Sequence, residues 1–397
     1  MINFSFIDFE TLLLDSFKLG KKIYESGFIP THAISLWRGG TPVGLGVGEF
    51  FRLKGHFINH TTIATASYTG IKTQSDVMIK GLEHLIKTIS KEDKLLIIDD
   101  IYDSGKTINT LIEMIKKSAR LNTPDLIKVA CIHNKVNKHL YQYDTITLID
   151  IKDDTWLSYP HEISDLVFDD DPDDKVLLRK SENIHNILHS KNKFDIEELN
   201  KDERYIYINP NELMYDSLKL AYNIFDSGYA PDFLLAIWPG GVMAGLPIHE
   251  FFKYKIKKQK LNIKAPDHIS INTAITHNSY KTNVIGIKYL EENINYNDKI
   301  LIVDTVFSTG RLINQTVDKL KETLRRNINI ENIKIATPYY YPINDFTLTT
   351  IHTFEKPHFY LKKVNKEIVF PHQIHRLLNP KKELEIYNNS LKEVVYD

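Results

Sequence analysis

The sequence predicts an α/β protein in which a mostly parallel sheet flanked by helices occurs twice. Three observations carry that prediction. Apolar runs of about five residues alternate with helical patterns, as in parallel sheets covered on both faces. The chain has 397 residues, more than one domain usually holds. Residues 7–51 also align without gaps on residues 208–252 and share roughly 18 of 45 positions, the mark of an internal repeat.

Each half reads in the same order. An opening helix, around 10–26 and 211–227, leads to an apolar strand ending at Trp37 or Trp238, then a Gly-containing loop and a second helix. After a variable middle, a helix is expected near 74–89 and 282–294 and a strand at 94–99 and 299–304. A helix follows from about 105 and 310, and a strand at 127–132 and 332–337 closes the run. Farther on, Tyr159-Pro160-His161 pairs with Phe370-Pro371-His372. The acidic stretch Asp169–Asp174 between the halves reads as a solvated turn, because clustered like charges repel; a cation site is the alternative. A boundary near 190–200 divides the chain into domains 1–195 and 196–397.

Composition narrows the function classes. Apolar and charged shares of 42% and 25% are those of ordinary globular protein. A net charge of −1 gives no electrostatic reason to expect a nucleic-acid partner. No apolar run approaches the ~20 residues of a membrane span, and the N-terminus lacks the pattern of a signal peptide. The single cysteine, Cys131, lies in a strand-like run and reads as a buried structural thiol in a reducing compartment. A cytoplasmic protein with no membrane partner is expected.

The chemistry concentrates at residues 95–108, Leu-Leu-Ile-Ile-Asp-Asp-Ile-Tyr-Asp-Ser-Gly-Lys-Thr-Ile. A strand ends in Asp99 and Asp100, crosses a short loop carrying Asp103, and opens a helix through Ser104, Gly105, Lys106 and Thr107. Backbone N–H groups at such a helix start make a phosphate site, and the acids beside it suit sugar hydroxyls, a metal or a proton. It is not a P-loop: the glycine required five positions before Gly105 is Asp100. A plain connection with Ser104 as helix N-cap is the alternative.

With these residues in view, the stretch resembles the ribose-5-phosphate-binding signature of type I phosphoribosyltransferases, closest to the hypoxanthine/xanthine/guanine branch. The resemblance covers residues ~5–168 and, more weakly, ~206–378. It implies two tandem type I phosphoribosyltransferase-like domains, the first catalytic. The implied substrates are phosphoribosyl pyrophosphate (PRPP) and a purine base, with a 6-oxopurine favoured. Asp99 and Asp100 would hold the ribose hydroxyls and, mostly through substrate and water, a Mg²⁺ ion. Asp103 would take the proton from N7 of the purine, and Ser104, Gly105, Lys106 and Thr107 would bind the 5′-phosphate. Arg38 and Gly39, in Trp37-Arg38-Gly39-Gly40, match the pyrophosphate loop, where the 37–38 or 38–39 peptide is expected to be cis. Ser67 and Tyr68 resemble the mobile loop that closes over PRPP. Lys135 would donate to O6, Trp156 would stack on the base, and the Leu157 backbone would reach its 2-position. Glu162 would assist the metal indirectly.

The second half keeps the scaffold and loses the chemistry. Arg38 aligns with Pro239, Asp100 with Thr305, Asp103 with Ser308, Thr107 with Leu312 and Lys135 with Tyr341, while Trp156 aligns with about Glu367. Trp238, Gly240, Gly241, Asp304 and Gly310 remain. The second domain is therefore read as degenerate and inactive, structural or regulatory. Because the family commonly works as dimers, it is expected to serve as a built-in partner in an intramolecular pseudo-dimer; a homo-oligomer stays open. A non-catalytic PRPP or nucleotide sensor, or transfer to another base, is the alternative function.

Overall fold

The computed structural model describes residues 3–67, 77–275, 282–343 and 353–397. It divides into two compact units, residues 1–159 with 370–397 and residues 160–369.

In unit 1, strand β1 (Asn3–Phe6) precedes helix α1 (Phe9–Glu25), whose N-cap Asp8 accepts from the N–H of Thr11. Then come β2 (His32–Trp37), α2 (Gly40–Leu53), β3 (Asn59–Ser67), β4 (Val77–Lys80) and α3 (Glu83–Thr88). They are followed by β5 (Lys94–Tyr102), α4 (Lys106–Ala119), β6 (Leu126–Asn134), β7 (Thr145–Asp150) and β8 (Thr155–Ser158). The sheet runs β4-β3-β2-β5-β6-β7, parallel except for β3 with β4, and β1 pairs with β8 as a separate parallel ribbon. β2 is wholly buried and β5 nearly so, as expected of central strands with both faces covered. One face packs Ile34, Leu36, Leu95 and Ile97 against Leu111, Ile112 and Ile115 of α4.

Unit 2 contains α5 (Lys175–Lys180), α6 (Glu182–Leu188), β9 (Glu197–Leu199), β10 (Tyr205–Tyr207), α7 (Pro210–Asp226), β11 (Phe233–Trp238) and α8 (Gly240–Lys258). It continues with β12 (Asp267–Ile275), β13 (Thr282–Ile285), α9 (Lys288–Asn293), β14 (Ile300–Val303), β15 (Val306–Phe307) and α10 (Arg311–Leu324). β16 (Ile333–Tyr340), β17 (Phe359–Val364) and β18 (Glu367–Val369) complete it. Its sheet runs β13-β12-β11-β14-β16-β17-β9, with only β12–β13 antiparallel, and β10 pairs with β18. The α/β class with mostly parallel sheets is thus present in both units. No helix among the described residues is long and apolar enough to cross a membrane.

The structure departs from the sequence reading in three places. Where one helix was expected over 74–89, residues 77–80 form β4 and, among the described residues, only 83–88 are helical; β13 and α9 repeat this over 282–294. Antiparallel pairing with β3 and β12 overrides the local pattern there. The division at 195/196 does not coincide with the compact units, because residues 160–195 pack in unit 2 and 370–397 in unit 1. Helices α11 (Pro380–Tyr387) and α12 (Asn389–Tyr396) close unit 1, burying Leu384, Leu391 and Val395. The acidic stretch is not simply solvated. Asp174 is fully buried and accepts from Lys258 Nζ (2.7 Å) and Tyr254 Oη (2.6 Å), while Asp171 caps α5 through the N–H groups of Lys175 and Val176.

Candidate active site

In an open parallel sheet, ligands bind beyond the strand C-termini where the strand order reverses. In unit 1 that point lies between β2 and β5, which run side by side with Ser35 opposite Ile98. The chain leaves β2 through Trp37-Arg38-Gly39-Gly40 and leaves β5 through Asp103–Thr107, so both segments singled out in the sequence emerge together. The Trp37–Arg38 peptide is cis, and so is Trp238–Pro239 in unit 2.

Gly39 and Gly40 are glycines for want of room. A Cβ on Gly39 would lie 1.9 Å from Asp100 Oδ2, and one on Gly40 would lie 2.3 Å from the Ile98 carbonyl oxygen. The pyrophosphate-loop candidate therefore packs directly on the acid pair. Asp99 Oδ1 accepts from the N–H of Asp100 (3.1 Å), and Asp100 Oδ1 from the N–H of Ile101 (2.8 Å). Burial lifts Asp99 to about 7. Burial and then the charge of Asp99 hold Asp100 well above the ordinary carboxylate value, with Arg38 pulling it down.

Beyond the strand, Gly105 takes a left-handed conformation (φ 75°) at the start of α4. Ser104 is not the N-cap; its hydroxyl accepts from the N–H of Lys106 at 3.3 Å. The turn is clamped by the segment after β6. The N–H groups of Leu140 and Tyr141 donate to Ser104 O (3.0 and 3.3 Å), and Tyr102 Oη donates to Tyr141 O (2.6 Å). Lys135 N donates to Tyr102 O (3.0 Å), which brings Lys135 Nζ to 3.5 Å from Asp103 Oδ2.

Other expected residues take separate positions. Trp156 and Leu157 lie on β8, and the Trp156 side is open: the residue is 50% exposed, with its ring 6.3 Å from Phe4. Ser67 ends β3, and Tyr68 lies outside the described residues. Glu162 falls in unit 2, where its carbonyl oxygen accepts from Lys180 Nζ (2.8 Å). Cys131 is buried on β6 beneath the acids, and burial raises its thiol well above the usual value, as a structural cysteine requires. Two residues were missed. Tyr159 Oη is 2.8 Å from His133 Nδ1 and donates to Asp100 O at 3.1 Å. The signal was present in the repeat, where Tyr159 stands against Phe370.

Unit 2 keeps the frame of this site. Asp304 Oδ1 accepts from the N–H of Thr305 (2.7 Å), Gly310 has φ 69°, and Tyr341 N donates to Phe307 O (2.8 Å) as Lys135 N does to Tyr102 O. A cavity of about 240 Å³ lies against Asp304, Phe307, Ser308, Thr309 and Arg311.

No protein-family model and no curated protein matches the chain. Solved structures do. A hypothetical protein from Neisseria gonorrhoeae with bound ppGpp is similar at 19% identity over 41% of this chain and 91% of that one, with a TM-score of 0.35. A Helicobacter pylori xanthine-guanine-hypoxanthine phosphoribosyltransferase is similar at 20% identity over 41% and 95%, with a TM-score of 0.31. A purine phosphoribosyltransferase from Pyrococcus horikoshii is similar at 23% identity over 40% and 93%, with a TM-score of 0.29.

Proposed function

We propose that unit 1 transfers a 5-phosphoribosyl group from PRPP to N9 of a purine base, a 6-oxopurine by preference, and releases pyrophosphate. One observation carries the reading. The Arg38-Gly39-Gly40 loop packs on the Asp99–Asp100 pair at the sheet's reversal point, beside a glycine-started helix flanked by the Asp103–Lys135 pair.

Two adjacent carboxylates accept well from a vicinal diol, which assigns the ribose hydroxyls to Asp99 and Asp100. The N–H groups of Gly105, Lys106 and Thr107, with the Ser104 and Thr107 hydroxyls, would hold the 5′-phosphate. Among the described residues no group of three or more His, Cys, Asp or Glu could hold a metal alone. The paired oxygens of Asp99 and Asp100 are hard donors that would suit Mg²⁺, which keeps most of its ligands from substrate and water. When bound, the ion would neutralise charge developing on the departing pyrophosphate. The bond from the ribose anomeric carbon to pyrophosphate breaks as the bond to N9 forms. Asp103 accepts the proton leaving the base at N7, and Lys135 donates to O6. Arg38 would contact the pyrophosphate, and the exposed face of Trp156 would stack on the base.

We read unit 2 as a degenerate copy, since the positions of Arg38, Asp100, Asp103 and Lys135 hold Pro239, Thr305, Ser308 and Tyr341. It would act as a built-in partner rather than as a second catalyst. Incubating the full chain with PRPP, Mg²⁺ and a panel of bases tests the assignment. Nucleotide and pyrophosphate should form in equal amounts with a 6-oxopurine. PRPP binding without turnover of any base would replace the transferase with a sensor.

A further inference from the structure

We infer that His133 and Tyr159 are positioning residues that fix the Asp100 carboxylate through the peptide group behind it, an inference that rests on the phosphoribosyl-transfer reading. Tyr159 follows β8 and is 2% exposed; its hydroxyl donates to the Asp100 carbonyl oxygen at 3.1 Å. A phenol has one proton, and with that proton committed Tyr159 can only accept from His133 Nδ1, 2.8 Å away. This assigns the histidine tautomer. Burial also pushes His133 down to about 4, so near neutral pH the ring carries one N–H, and it is spent on Tyr159. The rings meet edge to face, 5.7 Å apart at 63°.

The consequence lies in one peptide plane. The group joining Asp100 to Ile101 has its C=O held by Tyr159 and its N–H held by Asp100 Oδ1 at 2.8 Å. Rotation of that plane would move the N–H and drag the carboxylate with it. His133 sits opposite Ile101 in the β5–β6 register, so the chain of hydrogen bonds anchors the plane to the neighbouring strand. The strand exit that must present two carboxylates to a diol is therefore locked before substrate arrives, as a preorganised site requires.

The second unit supplies an internal comparison. Asp100, His133 and Tyr159 align with Thr305, Tyr339 and Phe370. Tyr339 Oη donates instead to Asp216 Oδ2 at 2.7 Å. The phenol and imidazole are missing together where the second acid is missing.

Steady-state kinetics on the full chain test this with Tyr159→Phe, His133→Phe and His133→Asn, varying PRPP and base separately. Tyr159→Phe and His133→Phe should each raise the KM for PRPP about 5- to 10-fold, the scale of one lost hydrogen bond. The KM for the base should stay within about twofold, since Asp103 and Lys135 hang on other anchors. Asn carries an N–H near the place of Nδ1, so His133→Asn should restore the PRPP KM. Unchanged PRPP KM values in an active wild-type background overturn the relay and leave the transferase reading intact. So does a fall in kcat alone that tracks a lower melting temperature, and so does a His133→Asn variant as impaired as His133→Phe. A wild-type chain that turns over no base overturns the transferase reading, and the relay with it.

Discussion

Lys135 Nζ lies 3.5 Å from Asp103 Oδ2, with the lysine side chain 12% exposed and the aspartate 45%. The pair joins the loop leaving β5 to the loop leaving β6. With its carboxylate half exposed to solvent, the pair contributes about 0–1 kcal/mol to stability. On the proposed reading, Asp103 would face N7 and Lys135 would face O6, neighbouring positions on one purine edge.

Asp103→Ala should therefore lower kcat by about 10²–10⁴. The melting temperature should barely move, because the stability at stake is below about 1 kcal/mol. Rapid-quench measurement of nucleotide formation, paired with thermal unfolding, checks both halves of the statement. A rate equal to wild type removes Asp103 from the mechanism.

The acid pair sets a pH dependence. Burial raises Asp99 to about 7 and holds Asp100 well above the ordinary value, so the folded apoprotein prefers protonated carboxyls. A raised folded-state pKa adds stability that is complete below the unfolded value, near 4, and is lost as pH rises through the folded value. The apoprotein should lose stability as pH rises above about 4 on this account. Asp100→Asn should then stabilise the ligand-free chain at pH 8 while weakening PRPP binding. Denaturant melts at pH 5 and pH 8 read the first effect and PRPP titration the second. A variant less stable than wild type at pH 8 would contradict the assignment.

What the sequence made legible was local. Trp37-Arg38-Gly39-Gly40 and the run from Asp99 to Thr107 announce themselves by residue type and spacing, and both sit at strand exits as read. What escaped was non-local. β4 and β13 are strands because β3 and β12 offer a pairing edge, which no window over 74–89 contains. The His133–Tyr159 bond spans 26 residues and the Asp100–Tyr159 bond 59, and only the Tyr159/Phe370 difference hinted at either. Asp174 looked solvated because its partners, Tyr254 and Lys258, stand 80 and 84 residues away.

Gly39→Ala makes a sharper steric test than any charge change. Its Cβ would fall 1.9 Å from Asp100 Oδ2, whereas a Cβ at Gly40 or Gly241 would strike backbone, the carbonyl oxygens of Ile98 and Val303, at 2.3 Å each. Gly39→Ala should displace the carboxylate and cost PRPP binding at least tenfold, because the side chain can shift while the fold survives. Gly40→Ala and Gly241→Ala should each destabilise their own unit by about 2–3 kcal/mol, because backbone cannot move aside. Equal effects of all three on stability, with PRPP affinity preserved in Gly39→Ala, would contradict the difference.

The membership of residues 370–397 in unit 1 yields the last prediction. Glu49, on α2 and fully buried, accepts from the N–H of His375 (2.7 Å) and is 2.6 Å from His375 Nδ1. The same helix begins at the Gly39–Gly40 turn, so this tie anchors the element that packs on Asp100. In unit 2, Glu250 of α8 plays the matching part, accepting from the N–H (3.1 Å) and Oγ (2.7 Å) of Ser164. His375→Ala removes the Nδ1 contact and keeps the backbone N–H, so it should lower the stability of unit 1 by about 1–3 kcal/mol, the cost of one lost partner on a buried polar group. A chain ending at residue 369 should lose amide protection in α1 and α2, because α12 packs on α1 and the turn at Ile374–Arg376 packs on α2. The unit 2 helices α7 and α8 should keep theirs. Hydrogen exchange on the truncated chain decides the matter: full protection of α1 would mean that unit 1 folds without the C-terminal segment.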